Sequence, residues 1–182
     1  NGEVEGRQAI ANFNVASYRA RYADLRSAFG NNLKAYYDHY RINGYAEGRV
    51  ATGSTELQNP TTVYNGVDYK LVYDYNYYIN KYPDIKAAFN GDENATLRHF
   101  VECGMNEGRQ GKASFNVAAY RANYADLRSA FGRNLKAYYM HYIGSGYREG
   151  RKATGNGVLK NPVTVYNGVD YSLVYDYNYY IS

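Results

Sequence analysis

The chain of 182 residues has no tryptophan, one cysteine, three prolines and three histidines. A single cysteine, Cys103, excludes an intrachain disulfide, so no cross-linked framework supports the fold. The histidines fall one to a repeat, with no second histidine nearby and a thiol near only one of them, Cys103 four residues after His99. The ligand set of a structural zinc site is therefore missing. No apolar run approaches membrane-spanning length, and no signal segment is present, so membrane insertion is not expected. Charge of one sign is never concentrated. The 21 basic and 17 acidic residues are scattered, for a net charge of +4. No basic stripe exists to follow a phosphate backbone, and nucleic acid is not an expected partner. Weak attraction to an anionic cell wall or membrane surface stays open. Glycine-rich phosphate loops, nucleophile motifs and fixed carboxylate pairs are also absent. No catalytic constellation emerges, and the expectation is a non-enzymatic chain without a cofactor.

What the chain has is tyrosine, 25 residues of it, and repetition. Residues 13–53 return as 115–155, an offset of 102 (115 − 13). Of the 80 positions paired between 1–80 and 103–182, 58 are identical. That level of identity marks a duplication. A second repeat lies inside the first. Residues 73–109 match 13–49 at an offset of 60 (73 − 13) and 115–151 at 42 (115 − 73). The common pattern is Tyr, three residues, Tyr-x-Asp-[Leu/Ile]-[Arg/Lys]-x-Ala-Phe-[Gly/Asn], then His-[Tyr/Phe], then Gly-x-x-Glu-Gly-Arg. The resulting division is 1–12, tail of a preceding unit; 13–49, unit one; 50–72, linker; 73–109, unit two; 110–114, short link; 115–151, unit three; 152–174, linker; 175–182, start of a further unit. The chain thus reads as a window of a longer array. A unit of about 37 residues is too small to be stable alone, so neighbours must share buried surface.

Local signals predict a mainly α chain, a tandem repeat of short three-helix units with small β-hairpin or extended segments between units. Asn14 and Asn116 stand where helix N-caps belong. Pro83 fits a first helical turn, and Asp24, Asp84 and Asp126 place negative charge at that turn. Gly30, Asn90 and Gly132 suit left-handed helix stops. A third helix over 33–40 and its counterparts is expected to end at Gly44, Gly104 and Gly146. Both linkers carry Asn-Gly between valine- and tyrosine-rich flanks, which favours a hairpin turning at Asn65-Gly66 with Thr62, Tyr64, Val67 and Tyr69 on one face. The alternative is an ordered loop.

Candidate sites divide into architecture and ligand binding. His39, His99 and His141 hold one repeat position and are expected to make structural hydrogen bonds to the unit's aspartate or to a backbone carbonyl. Asp24, Asp84 and Asp126 are assigned to architecture on the same ground of recurrence. In Glu-Gly-Arg, Arg49, Arg109 and Arg151 read as fasteners to the adjoining unit, against the alternative of a charged ligand clamp. Tyr18/78/120 and Tyr22/82/124 recur in every unit and read as core. Position 36 is Tyr36, Thr96 and Tyr138. Position 45 is Tyr45, Met105 and Tyr147. Position 17 is Ser17, Tyr77 and Ala119. Drifting residues are the better candidates for exposure, and exposed tyrosine rings stack on sugar faces. The ligand-binding candidates are therefore Tyr36, Tyr45, Tyr77, Tyr138 and Tyr147, with Tyr64, Tyr69, Tyr166 and Tyr171 from the hairpins. The competing reading packs these rings between units.

The combined pattern resembles the Tyr-rich repeats of secreted, surface-associated proteins of Gram-positive gut bacteria, often appended to lysozyme-like or other glycoside hydrolases. The resemblance covers nearly the whole chain. It implies an extracellular, non-catalytic accessory module that attaches its parent to cell-wall polymer or another glycan. A purely structural stalk, or an adhesin for a protein partner, are the alternatives. The resemblance supplies no binding residues, and neither it nor the residues fix an oligomeric state.

Overall fold

A computed structural model describes residues 5, 6, 8, 10–89 and 91–181. Among these the chain forms ten short α-helices and two two-stranded antiparallel hairpins. The order is α1 (Val15–Arg21), α2 (Ala23–Phe29), α3 (Leu33–His39), β1 (Val63–Tyr64), β2 (Val67–Asp68), α4 (Tyr75–Lys81), α5 (Pro83–Phe89), α6 (Glu93–His99), α7 (Val117–Asn123), α8 (Ala125–Phe131), α9 (Leu135–His141), β3 (Val165–Tyr166), β4 (Val169–Asp170) and α10 (Tyr177–Tyr180). Nine of these helices are two turns long. Helices this short are marginal in water, so caps and packing must hold them. Each group of three is one helical unit, and the mainly α repeat architecture read from the sequence is the one observed.

The caps are where the sequence puts them. The Asn14 side chain accepts from the Ser17 N–H at 3.0 Å, and Asn116 accepts from the Ala119 N–H at 3.1 Å. Asp74 does the same for Tyr77 at 2.9 Å. Such a cap contributes about 1 kcal/mol. Pro83 opens α5, where no N–H is needed. Gly30 and Gly132 follow α2 and α8 at φ +53° and +55°, as expected, but with ψ of −119° and −113°, outside the left-handed helical region. The equivalent Asn90, like Arg7 of the first Glu-Gly-Arg, lies outside the described residues.

The third helix of each unit ends at the expected glycine, but through a turn the sequence did not announce. Tyr40–Gly44, Phe100–Gly104 and Tyr142–Gly146 continue α3, α6 and α9 as π-helical turns. The glycines close these turns without positive φ. Their purpose is room. A Cβ on Gly44 would run into the Tyr18 hydroxyl, one on Gly146 into the Tyr120 hydroxyl, and one on Gly104 would sit 2.6 Å from the Tyr78 hydroxyl.

The hairpins turn at Asn65-Gly66 and Asn167-Gly168. In each, both turn residues have positive φ. That is the geometry of the two-residue turn that Asn-Gly favours. Tyr64 pairs with Val67, and Tyr166 with Val169.

The chain forms two compact bodies. The first holds residues up to Thr61 together with Ile79–Thr96, and the second holds Thr62–Tyr78 together with Leu97 onward. The core of the first body gathers Phe13, Val15, Tyr18, Leu25, Tyr36 and Ala51, with Tyr22, Phe29, Leu33, Tyr37 and Tyr40 packed against it. In the second, Phe115, Val117, Tyr120, Leu127, Tyr138, Tyr139 and Tyr142 repeat that set, and Val72, Tyr73, Tyr78, Leu97 and Phe100 are also buried. Two-turn helices bury little aliphatic surface, and the large tyrosine ring makes up the deficit while its hydroxyl finds a polar partner.

Candidate functional site: an aromatic ledge on each copy

In each unit the recurring tyrosine of the first helix bonds the recurring histidine of the third. Tyr18 Oη and His39 Nδ1 are 2.9 Å apart, Tyr120 Oη and His141 Nδ1 2.9 Å, and Tyr78 Oη and His99 Nδ1 3.3 Å. The histidines are therefore architectural, but their partner is a phenol rather than the aspartate or carbonyl read from the sequence. A buried phenol needs such a partner, and the imidazole supplies it. Burial also pushes the phenols up. Tyr18 rises to about 12, with Arg49 opposing the shift, and Tyr120 rises further, with Arg151 opposing.

The aspartates and arginines form a second device. Arg49 Nη1 lies 2.9 Å from Asp24 Oδ2 and Nε 2.6 Å from Glu47 Oε2, and its guanidinium covers the Tyr22 ring at 4.7 Å. Arg151 repeats this with Asp126 at 2.8 Å, Glu149 at 2.5 Å and the Tyr124 ring at 4.8 Å. Arg109 pairs with Glu107 at 2.5 Å. Asp84 lies in the first turn of α5. The expectation that this arginine fastens one unit to the next is overturned at 49 and 151. The turn through Glu-Gly-Arg folds the side chain back over its own unit, where the first-turn aspartate receives it. The guanidinium donates to both carboxylates, and Asp24 and Asp126 are held below the usual carboxylate range: burial pushes Asp24 up, Arg49 outweighs it, and at Asp126 the Arg151 hydrogen bond is the leading cause.

A residue that joins units in the first body is one the sequence reading passed over. Arg26, buried on α2, uses all of its donors. Nη1 reaches the carbonyls of Arg19 (3.1 Å) and Ala20 (2.8 Å), Nη2 those of Gln58 (2.7 Å) and Asn59 (3.3 Å), and Nε the Glu93 carboxylate (2.8 Å). The Arg/Lys at this position was visible in the repeat pattern, but nothing marked its carbonyl partners.

The candidate tyrosines separate sharply. Tyr36 and Tyr138 are buried, their hydroxyls donating to the carbonyls of Gly30 (2.8 Å) and Gly132 (3.0 Å), so drift at this position does not signal exposure. Ser17 and Ala119 are buried too, and Tyr77 is half-buried. Tyr69 is buried, while Tyr64 is half-buried and donates to Glu102 at 2.5 Å. Tyr166 and Tyr171 are exposed. Tyr45 and Tyr147, outside the hairpins, are exposed at 77% and 57%.

These two rings finish an aromatic ladder. In the first copy Phe13 packs on Tyr40 (centroids 4.7 Å), Tyr40 on Tyr18 (5.2 Å), and Tyr45 meets Tyr40 edge-on at 6.2 Å and 82°. The second copy repeats it with Phe115, Tyr142, Tyr120 and Tyr147, the last pair at 6.0 Å and 80°. The inner rung is anchored, so the outer ring is braced on one side while most of its surface stays exposed. Burial raises the Tyr142 phenol, and the neighbouring Tyr147 and Tyr124 phenols add to the shift. The remaining unit has no ledge, because Met105 is buried at the equivalent place. Among the described residues no group of three or more His, Cys, Asp or Glu is placed to hold a metal, and no helix is long and apolar enough to cross a membrane.

A scan against protein-family models and searches of curated proteins and of solved structures return no match to this chain.

Proposed function

We propose that the chain is a non-catalytic repeat module that binds cell-wall polymer or another glycan and retains a secreted parent protein at the bacterial surface. The observation that carries this reading is the repeated ledge. Tyr45 and Tyr147 present a large flat ring, braced by Tyr40 and Tyr142. A ring already fixed loses little conformational freedom when a sugar stacks on it. The charged groups of the Glu-Gly-Arg turn follow closely in sequence, and hydrogen-bonding groups beside an apolar face are what fix the orientation of a sugar. Two equivalent ledges on one chain add by avidity when the ligand is a polymer.

A structural stalk is the second reading, favoured by the burial of Tyr36, Tyr69 and Tyr138. Co-sedimentation of the purified chain with purified Gram-positive cell walls separates the two. Pelleting above a control protein at low and moderate salt is expected. Absence of pelleting at both salts removes the binding reading and leaves the stalk. Binding that persists after the glycan is digested from the wall indicates a protein adhesin instead.

A further inference from the structure

The arginine sockets of the two long copies are the same except for one donor. Arg128 Nη1 reaches the carbonyls of Arg121 (3.0 Å) and Ala122 (2.8 Å), and Nη2 those of Lys160 (2.5 Å) and Asn161 (2.8 Å). This is the Arg26 arrangement, carbonyl for carbonyl. In the first copy the remaining donor, Nε, meets Oε1 of Glu93, and the other carboxylate oxygen accepts the Thr61 N–H at 2.7 Å. In the second copy the corresponding donors are Arg128 Nε and the Val163 N–H. Neither has a partner among the described residues.

The surface following this socket differs in the same direction. The stretch from Thr62 to Ile79, the end of a linker and the start of a unit, returns nearly unchanged from Thr164 to Ile181. In the first copy Val72 and Tyr78 are fully buried, with Tyr73 against Phe100 at 5.0 Å and the Asp74 N–H bonded to the Gly111 carbonyl at 2.9 Å. Phe100 lies late in unit two, and Gly111 just beyond it. In the second copy Val174 is 84% exposed and Tyr180 78%, and Tyr166, Tyr171 and Tyr175 border an open cleft of about 340 Å³. One sequence, buried in one copy and bare in the other, differs in what lies upon it.

We propose that Arg128 and Val163 form a carboxylate receptor, and that the occupant is a helical unit of the unit-two type. Its glutamate, at the place Glu93 holds on α6, bonds Arg128 Nε and the Val163 N–H together. Its counterparts of Phe100 and Gly111 cover Val174, Tyr175 and Tyr180. Charge complementarity and continuity with the Arg26–Glu93 joint select this occupant. The proposal is independent of glycan binding.

The test extends the full chain after Ser182 with the sequence of residues 81–114, and compares glutamate with glutamine at the added position equivalent to Glu93. Amide hydrogen exchange and the Arg128 Nε–H resonance are followed. Extension is expected to slow exchange over 174–181 by roughly tenfold or more. It is also expected to shift and protect the Arg128 Nε–H, and glutamine to abolish that shift. An Arg128 Nε–H indifferent to the extension, or to the glutamine, overturns the proposal. Protection that appears in the unextended chain as concentration rises assigns the face to a second copy and overturns it equally. A second arm needs no extension. In Glu93→Gln the Arg26 Nε–H is expected to move to the position and exchange rate of Arg128 Nε–H. If it stays apart, the two sockets are not equivalent and the proposal fails.

Discussion

The hydroxyl of Tyr18 occupies the space that a side chain on Gly44 would need, and Tyr120 stands in the same relation to Gly146. The hydroxyl cannot retreat freely, because it is bonded to His39 at 2.9 Å. Tyrosine, histidine and glycine therefore recur together in the repeat for one reason: the phenol bridges the first helix to the π-turn of the third.

Gly44→Ala is accordingly expected to destabilise the first body. Alanine is the better helix former by about 1 kcal/mol. Overpacking against a fixed hydroxyl costs about 1–3 kcal/mol and wins. Tyr18→Phe removes the obstructing atom and one hydrogen bond, about 1 kcal/mol. The double variant should lose less than the sum of the two. Chemical denaturation of the four proteins measures the coupling, and additivity would sink this account of the glycine.

Arg26 and Arg128 should respond unequally to the same change. Replacement by leucine strands the carbonyls of each socket, but only at Arg26 does it also strand a nearly buried carboxylate, Glu93. Breaking such a pair costs about 3–5 kcal/mol. Arg26→Leu is expected to cost more than Arg128→Leu, and Glu93→Leu added to Arg26→Leu should recover part of the loss. Thermal melts followed by circular dichroism report the order; equal losses from the two arginines would show that Glu93 adds nothing.

Stability should fall at both ends of the pH scale. Asp24 and Asp126 have folded values below their ordinary 3.8. Their contribution is present above the unfolded value and is lost as pH falls through about 4 and below. Tyr18 has a folded value of about 12 against an ordinary 10.0. Its contribution is complete below the unfolded value and drains away as pH rises from there through the folded one. Tyrosinate absorbance should show the buried Tyr18 phenol appearing above the ordinary phenol value of 10.0, together with loss of helix. A single smooth titration of all tyrosines near that value, with helix retained, would contradict the buried phenol–imidazole pairs.

Short-range chemistry was legible in the sequence. The Asn14 and Asn116 caps, Pro83 at a helix start and the Asn65-Gly66 turn each depend on residues within a few positions of one another. The π-turns were not legible, since their cause is a phenol far back on the first helix of the unit. Nor was the direction of Arg49, which depends on Asp24 across the unit. Drift between copies was an ambiguous guide. At position 36 tyrosine and threonine are both buried; Tyr36 bonds Gly30 O, and Thr96 bonds Asp92 O at 2.6 Å, so the change is one of filling. At position 45 the change from tyrosine to a buried methionine at 105 does follow exposure. Tyr69 and Tyr171 sit in nearly the same local sequence and differ in burial, which residues nearby in sequence cannot encode.

The ledge can be tested apart from the scaffold. Tyr45 and Tyr147 are exposed and each meets a neighbouring ring near-perpendicularly, so alanine at either should alter stability by no more than about 1 kcal/mol. If the rings stack on sugar, each alanine removes roughly 0.5–1.5 kcal/mol of binding, or about 2- to 10-fold in affinity. The double variant should lose more than either single one, because avidity needs two sites. Phenylalanine at both positions keeps the ring face and should retain most of the binding. Tyr36→Phe serves as the opposite control: it gives up the buried bond to Gly30, about 1 kcal/mol of stability, and should leave pelleting with cell walls unchanged. Equal pelleting by the parent chain and by the Tyr45→Ala/Tyr147→Ala chain would place the glycan elsewhere on the surface.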